Sequence, residues 1–291
     1  MCGASALGAK LMGRRLDRPQ GIRPRQRAGV TTSVKRCNRC GLVFADPLPI
    51  PDDISGHYDV APEHYWAPHR LEAVTSDSDV FADAIAKFGE LWKGSGRPRA
   101  LDVGAGLGQT MQSLSRAGFE VHGIEPSPHF SRIAAAQAGV SADDLQTCSL
   151  ETAEFSPNSF DFVSFGAVLE HVYDPATALD RAFAWCAPGA LVYVEVPSAD
   201  WLTARLVNLI YRAQRSQFVA NLSPMHAPFH LYEFTPAAFG AYAAARGHDL
   251  PRVQRYVGDK TFFPRLLDPA ARTLMEHTGT GMQIEAWLRK R

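Results

Sequence analysis

From Arg99 onward, short apolar or β-branched runs alternate with amphipathic stretches of helical length, and this alternation constrains the fold more than any other feature of the chain. ALDVG (100–104) is a short buried strand, and GQTMQSLSRAG (108–118) is a helix stopped at Gly118. EVHGIEPS (120–127) is a strand and PHFSRIAAAQAG (128–139) a helix. FDFVSFG (160–166) is a strand running into a loop, ATALDRAFAWCAPGA (176–190) a helix, and LVYVEVPS (191–198) a strand. FTPAAFGAYAAARG is a further helix, with Thr235 to cap it and Pro236 in its first turn. PRVQRYVG and MQIEAWLRK close the pattern as strands. This order builds a Rossmann-like, doubly wound α/β fold: a mostly parallel seven-stranded sheet with helices on both faces. With 291 residues, 46% of them hydrophobic, there is enough chain for one large α/β domain and a small extra piece.

The run LDVGAGLGQT (101–110) carries the chemistry. A strand ends at Val103, and Gly104, Ala105, Gly106 and Gly108 form a Gly-x-Gly-x-Gly turn that opens a helix. Glycines let a ligand approach the backbone, and a helix N-terminus offers free N–H groups. A dinucleotide fingerprint needs its third glycine one place later, where this chain has Gln109. Asp102, one residue inside the strand end, would repel a diphosphate and attract a cation. Glu125, at the tip of the next strand, can accept hydrogen bonds from two ribose hydroxyls. Together these features describe a site for a positively charged nucleoside, and S-adenosylmethionine (SAM) fits.

Residues 99–197 resemble the class I SAM-dependent methyltransferases, in particular the ubiquinone-type and sugar-type group. LDVGAGLGQT matches the family's first motif, and GIEPS, with Glu125 and Pro126, its ribose-binding strand end. CSLETAEFSPNSFDFV matches the adenine-contact loop and fourth strand, with Ser149 before Leu150 where the family usually has an Asp before an apolar residue. FGAVLEHVYDP, from Gly166, matches the loop facing the transferred methyl group, and APGALVYVEVPS the fifth strand. The resemblance implies SAM as cofactor, bound by Asp102, Gly104, Ala105, Gly106, Gly108, Glu125, Pro126, Ser149, Leu150 and Gly166. It specifies the acceptor poorly.

Charge is uneven along the chain. Residues 1–40 hold ten Lys or Arg and one acid, Asp17, although the formal net charge of the whole chain is zero. Residues 1–33 lack periodicity and are predicted to be a disordered basic arm. Residues 34–70 form a CxxC knuckle (Cys37, Cys40) followed by an aromatic wrap at 56–66. The resemblance implies that the knuckle is half of a zinc ribbon; zinc needs four ligands, and only Cys2 lies upstream, with His57, His64 and His69 beyond it. Two free thiols are the alternative. The methyltransferase domain is then 71–291, beginning with an amphipathic helix over 71–92. An insertion at about 198–232 is placed to act as a lid over the ligand-binding rim. Five scattered cysteines make no disulfide framework, and no apolar stretch is long enough to span a membrane, so a cytoplasmic protein is expected.

Methyl transfer needs an aligned nucleophile and, where its pKa demands, a base. His171 is the first candidate and Glu170 adjoins it; His226 and His230 in the lid follow. The favoured acceptor is a hydroxyl of a small molecule such as a sugar, glycolipid or natural product. Alternatives are a non-catalytic SAM-fold binding module, and a nucleic-acid or protein methyltransferase gripping through the basic arm. Amino-methylating nucleic-acid enzymes carry an Asn/Asp-Pro-Pro-aromatic motif after the fourth strand; FGAVLEH stands there instead, which argues against nucleic acid.

Overall fold

A computed structural model describes all residues except 23, 25–28, 51–80, 142, 259 and 260. Eleven strands and seven α-helices are assigned among the described residues. Strands β1 (Lys10–Leu16), β2 (Thr31–Arg36) and β3 (Val43–Asp46) come first, then α1 (Ala82–Leu91), β4 (Arg99–Val103), α2 (Gln109–Arg116) and β5 (Glu120–Ile124). Next are α3 (Pro128–Ala138), β6 (Leu145–Gln146), β7 (Phe160–Gly166), α4 (Pro175–Trp185) and β8 (Cys186–Pro197). The chain ends with α5 (Leu202–Ala213), β9 (Tyr232–Glu233), α6 (Pro236–Arg246), β10 (Asp249–Tyr256), α7 (Asp268–Thr278) and β11 (Gln283–Arg289).

The predicted seven-stranded sheet is present, in the order β10-β11-β8-β7-β4-β5-β6. β4 runs parallel to both β5 and β7, and β5 parallel to β6. The chain thus winds outward from β4 through β5 to β6 and then returns to the other side of β4 as β7, so β4 sits at the switch point where ligands of such sheets bind. Its strands read as continuous apolar runs because both faces are covered. Phe160, Phe162, Val163 and Phe165 on β7 are all at most 2% exposed. Phe88 of α1 lies 5.2 Å from Phe162 and 5.0 Å from Phe119, ring centre to ring centre, and each such buried ring contributes roughly 2 kcal/mol. Residues 71–80 of the predicted first helix, and the aromatic wrap with His57, His64 and His69, lie outside the described residues.

The helix termini follow the residues meant to make them. Ser127 caps α3 and Thr235 caps α6, each accepting a backbone N–H through its hydroxyl, and α3 and α6 end on left-handed Gly139 and Gly247.

The first forty residues depart from expectation. Instead of a disordered arm, Lys10–Leu16 is a strand, and a four-stranded antiparallel sheet runs β1-β2-β3-β9. The register pairs Val34 with Ala45, and Val43 with Glu233. Val34, Val43 and Ala45 form an apolar cluster with Ala199, Val219 and Leu222 of the segment predicted to be a lid. The arm's periodicity is weak because its partners are distant in sequence: Arg14 N–H bonds Gln217 O, and Arg15, mostly buried, bonds Val219 O. By contacts the chain divides into two compact units, one of Met1–Pro49, Ala167–Ala176 and Val194–Trp287, the other of Ile50–Gly166, Thr177–Tyr193 and Leu288–Arg291. The boundary expected at residue 70 is not where the described residues divide.

Candidate functional site

In the second unit, the glycine turn folds back on the neighbouring strand tip. The N–H groups of Gly104 and Ala105 both bond Ile124 O, at 2.8 and 3.0 Å. Gly106 N–H donates to Glu125 Oε2 at 2.8 Å, and Ser127 N–H to Oε1 at 2.9 Å. Gly104, Gly106 and Gly108 all have positive φ (72°, 55° and 85°), a region costly for residues with a Cβ. At Gly108 a Cβ would also sit 2.7 Å from the backbone of Ala134 on α3, so glycine is required twice over.

Asp102 is 3% exposed and stands in register with Ser164 on β7, whose hydroxyl donates to Oδ1 at 2.7 Å. Burial raises Asp102 to about 7, against the lowering effect of the Ser164 bond and with a further push from Glu125. Burial raises Glu125 as well, partly offset by its two backbone donors. A pair of buried acids, each held by fixed donors, is a receptor for positive charge and hydroxyl protons. Pro126 is half-buried between Glu125 and Ser127, and Gly166 is exposed at the end of β7. Leu150 is buried with its carbonyl on Arg181 Nε (3.1 Å), while Ser149 O closes a turn by accepting Thr152 and Ala153 N–H. Ser164, which the sequence reading does not single out, joins the candidate site through Asp102; a hydroxyl in a buried, mostly apolar strand is its signal.

The first unit gathers the proposed bases. His171 Nε2 and His230 Nε2 each lie 3.9 Å from Glu170 Oε1, and the imidazoles meet edge to face with centroids 5.0 Å apart. At 3.9 Å neither contact is a hydrogen bond. Glu170 is buried, and its Oε2 has no hydrogen-bond partner among the described residues. Burial pushes Glu170 up to about 8 and His230 down to about 3, so both are uncharged at neutral pH. His230 is held by its own N–H on Ser223 Oγ (3.3 Å), and Leu231 N–H bonds Glu170 O at 2.8 Å. His226 is differently employed: its Nδ1 lies 2.9 Å from Ala227 O and its Nε2 3.5 Å from Arg15 Nη2, so both ring nitrogens face protein groups.

At the knuckle, Cys2 joins Cys37 and Cys40. The three sulfurs lie within 4.8 Å of one another, with Cys2 and Cys37 3.6 Å apart. Thiolates around tetrahedral zinc, bonded at ~2.3 Å, stand ~3.8 Å apart, close to the Cys2–Cys37 separation, and the trio offers three of the four ligands zinc takes. Burial raises both knuckle thiols. In Cys37 it is outweighed by the N–H groups of Cys40 and Arg39 and the Cys2 thiol, which bring it to about 7, while Cys40 goes to about 12. Cys186 is buried; Cys148 is half-buried after β6 rather than inside an element.

The profile of a methyltransferase domain matches residues 75–250. The ubiquinone biosynthesis O-methyltransferase of Ralstonia nicotianae is 30% identical over 152 residues, 51% of this chain and 62% of that protein. That of Aeromonas salmonicida is 30% identical over 198 residues, covering 67% and 74%. The chain therefore spans less than two thirds of the first of these relatives. Among solved structures, a SAM-dependent methyltransferase from Archaeoglobus fulgidus superposes with a TM-score of 0.51 at 14% identity, over 76% of this chain and 99% of that one. One from Mesorhizobium loti gives 0.52 at 14%, over 74% and 99%. At such identities these likenesses concern the fold. Among the described residues no helix is long and apolar enough to cross a membrane.

Proposed function

The chain belongs to the class I SAM-dependent methyltransferase family, with SAM as its cofactor, and from that membership we propose that it methylates a hydroxyl of a small molecule. The observation that carries this reading is the pairing of a glycine turn with two buried acids, Asp102 and Glu125, on neighbouring strand tips. In this reading Glu125 accepts from the ribose hydroxyls while its other lone pairs keep the turn closed. Asp102 faces the cationic end, the backbone of Gly104, Ala105, Gly106 and Gly108 lets the ligand approach, and Pro126, Ser149, Leu150 and Gly166 border the nucleoside. The relatives named for O-methylation in ubiquinone biosynthesis support an oxygen acceptor; a sugar, glycolipid or natural-product hydroxyl fits the same chemistry.

When bound, SAM supplies a methyl carbon activated by its sulfonium. In this reading His171 is the base that would take the acceptor's hydroxyl proton on a ring nitrogen. Glu170 and His230 are positioning residues: uncharged themselves at neutral pH, they hold His171 in a water-poor setting. His226, with both nitrogens facing protein groups, supports the lid segment instead of taking a proton. Calorimetry with SAM tests the cofactor half of the proposal. Gly104→Leu and Asp102→Ala should each abolish binding while the thermal transition persists, and unchanged affinity in both would refute the assignment. Radiolabelled methyl transfer into fractionated small metabolites tests the acceptor half.

We also propose that Cys2, Cys37 and Cys40 hold a structural zinc ion, because their three sulfurs converge within 4.8 Å of one another. Metal analysis of the purified chain should find one zinc, lost in Cys2→Ser; a metal-free protein would sink this reading. The nucleic-acid alternative is weakened by Arg15, whose guanidinium donates to Val219 O within the first unit.

A further inference from the structure

A cavity of about 600 Å³ opens in the first unit, between the β1–β2–β3 sheet and the start of α6. Lys10, Arg36, Arg39 and Arg255 line it against one carboxylate, Asp200. That carboxylate is fully engaged. Arg36 binds it with both Nη atoms (2.7 and 3.1 Å), Arg255 Nη2 reaches it at 3.2 Å, and Arg205 approaches at 3.7 Å. Arg255 is further fixed by Ser198 Oγ at 3.2 Å. Two guanidinium forks are therefore held rigid by a single acid. Among the described residues, Lys10 and Arg39 have no carboxylate partner; Arg39 only donates to Cys2 O at 3.2 Å.

Crowding cations around one acid is unfavourable unless something else brings negative charge. The N–H groups that Arg36 and Arg255 do not spend on Asp200 and Ser198, with the ammonium of Lys10 and the guanidinium of Arg39, are donors matched in sign to an oxyanion. The positive end of α6, capped by Thr235, adds to the same field. The space is much larger than an inorganic ion requires and lies in the range of ~300–1,000 Å³ typical of small-molecule sites. We infer that this cavity binds an organic phosphate or diphosphate, its oxyanion on Lys10, Arg36 and Arg39 and its carbon portion in the remaining volume. This inference does not depend on the methyl-transfer reading.

The test is calorimetric titration of the full chain in low salt with phenyl phosphate and, separately, inorganic phosphate. Phenyl phosphate should bind, and more tightly than the inorganic ion. The double variant Lys10→Gln/Arg39→Gln breaks no ion pair among the described residues and should weaken phenyl phosphate binding at least ~tenfold, the loss expected for charge-assisted contacts. SAM affinity, measured on the same preparations, should not change. No heat up to ~10 mM ligand, a range that reaches contacts of ~3 kcal/mol, overturns the inference, as does equal affinity in the double variant. Equal affinity for the two phosphates overturns the organic part. Failure of SAM to bind would refute the cofactor site and leave this one standing.

Discussion

Glu125 and Glu170 are both buried acids, yet their surroundings treat them in opposite ways. Glu125 sits at a strand tip with a backbone N–H on each oxygen. Glu170 follows a strand in a loop, with Oε2 lacking a hydrogen-bond partner among the described residues and two imidazoles beyond hydrogen-bond reach. The first arrangement builds a fixed acceptor whose buried charge is partly offset by backbone dipoles. The second leaves a group that gains a proton as soon as water is gone, and so suits a site where protons are exchanged. In the proposed reading the first is a binding carboxylate and the second a titrating one, and the difference lies in how many backbone donors each presents.

The largest effect that would break this contrast is at the titrating end. His171→Ala should lower kcat by ~10²–10⁴, the usual contribution of a general base, with SAM affinity unchanged by calorimetry. A variant that kept full turnover would remove the proton-transfer role from this cluster. Next comes Asp102. Because burial holds it protonated below about 7, its attraction for a cationic ligand switches on as pH rises through that value. SAM affinity should therefore rise by up to ~tenfold per pH unit from pH 5 to 7 and level off above. In Asp102→Asn the profile should be flat and weak, and a pH-independent wild type would contradict the assignment.

Stability sharpens the comparison further. Glu125→Gln places an amide where two N–H donors expect a carboxylate, at a cost of ~1–3 kcal/mol, seen as a lower Tm at pH 7. Glu170→Gln should act in the opposite direction and depend on pH. Glu170 has a folded-state pKa raised to about 8, so its ionisation erodes stability from its ordinary value near 4.5 up to about 8, and the full penalty applies above. The variant should therefore gain most over wild type at pH 9 and least at pH 4. A Tm difference that did not vary with pH would place the penalty elsewhere. Smallest of all, Glu170→Gln should erase any inflection near pH 8 in kcat/KM.

Much of the second unit could be read in the sequence because its logic is local. β4, the glycine turn, α2 and β5 follow one another within thirty residues, and each announces itself by periodicity or by glycine. Asp102 and Glu125 could be named because their places at strand ends follow from that order. The first unit was opaque for the opposite reason. β1 bonds Gln217 and Val219, and β3 pairs with β9 nearly two hundred residues later, so no window of sequence contains the partners. The meeting of Cys2 with Cys37, or of His171 with His230, is equally invisible until those distant strands pair. Ser164 lay between: its position was readable, its partner was not.

Strand β9 is only two residues long, yet it stitches residue 43 to residue 233. Valines from the front of the chain share one oily seam with Val219 and Leu222. This protein therefore cannot be trimmed from its beginning like a tagged domain. Any version cut down to begin near the glycine turn would lay that seam bare to solvent, and anyone dissecting or fusing it must carry the opening strands along.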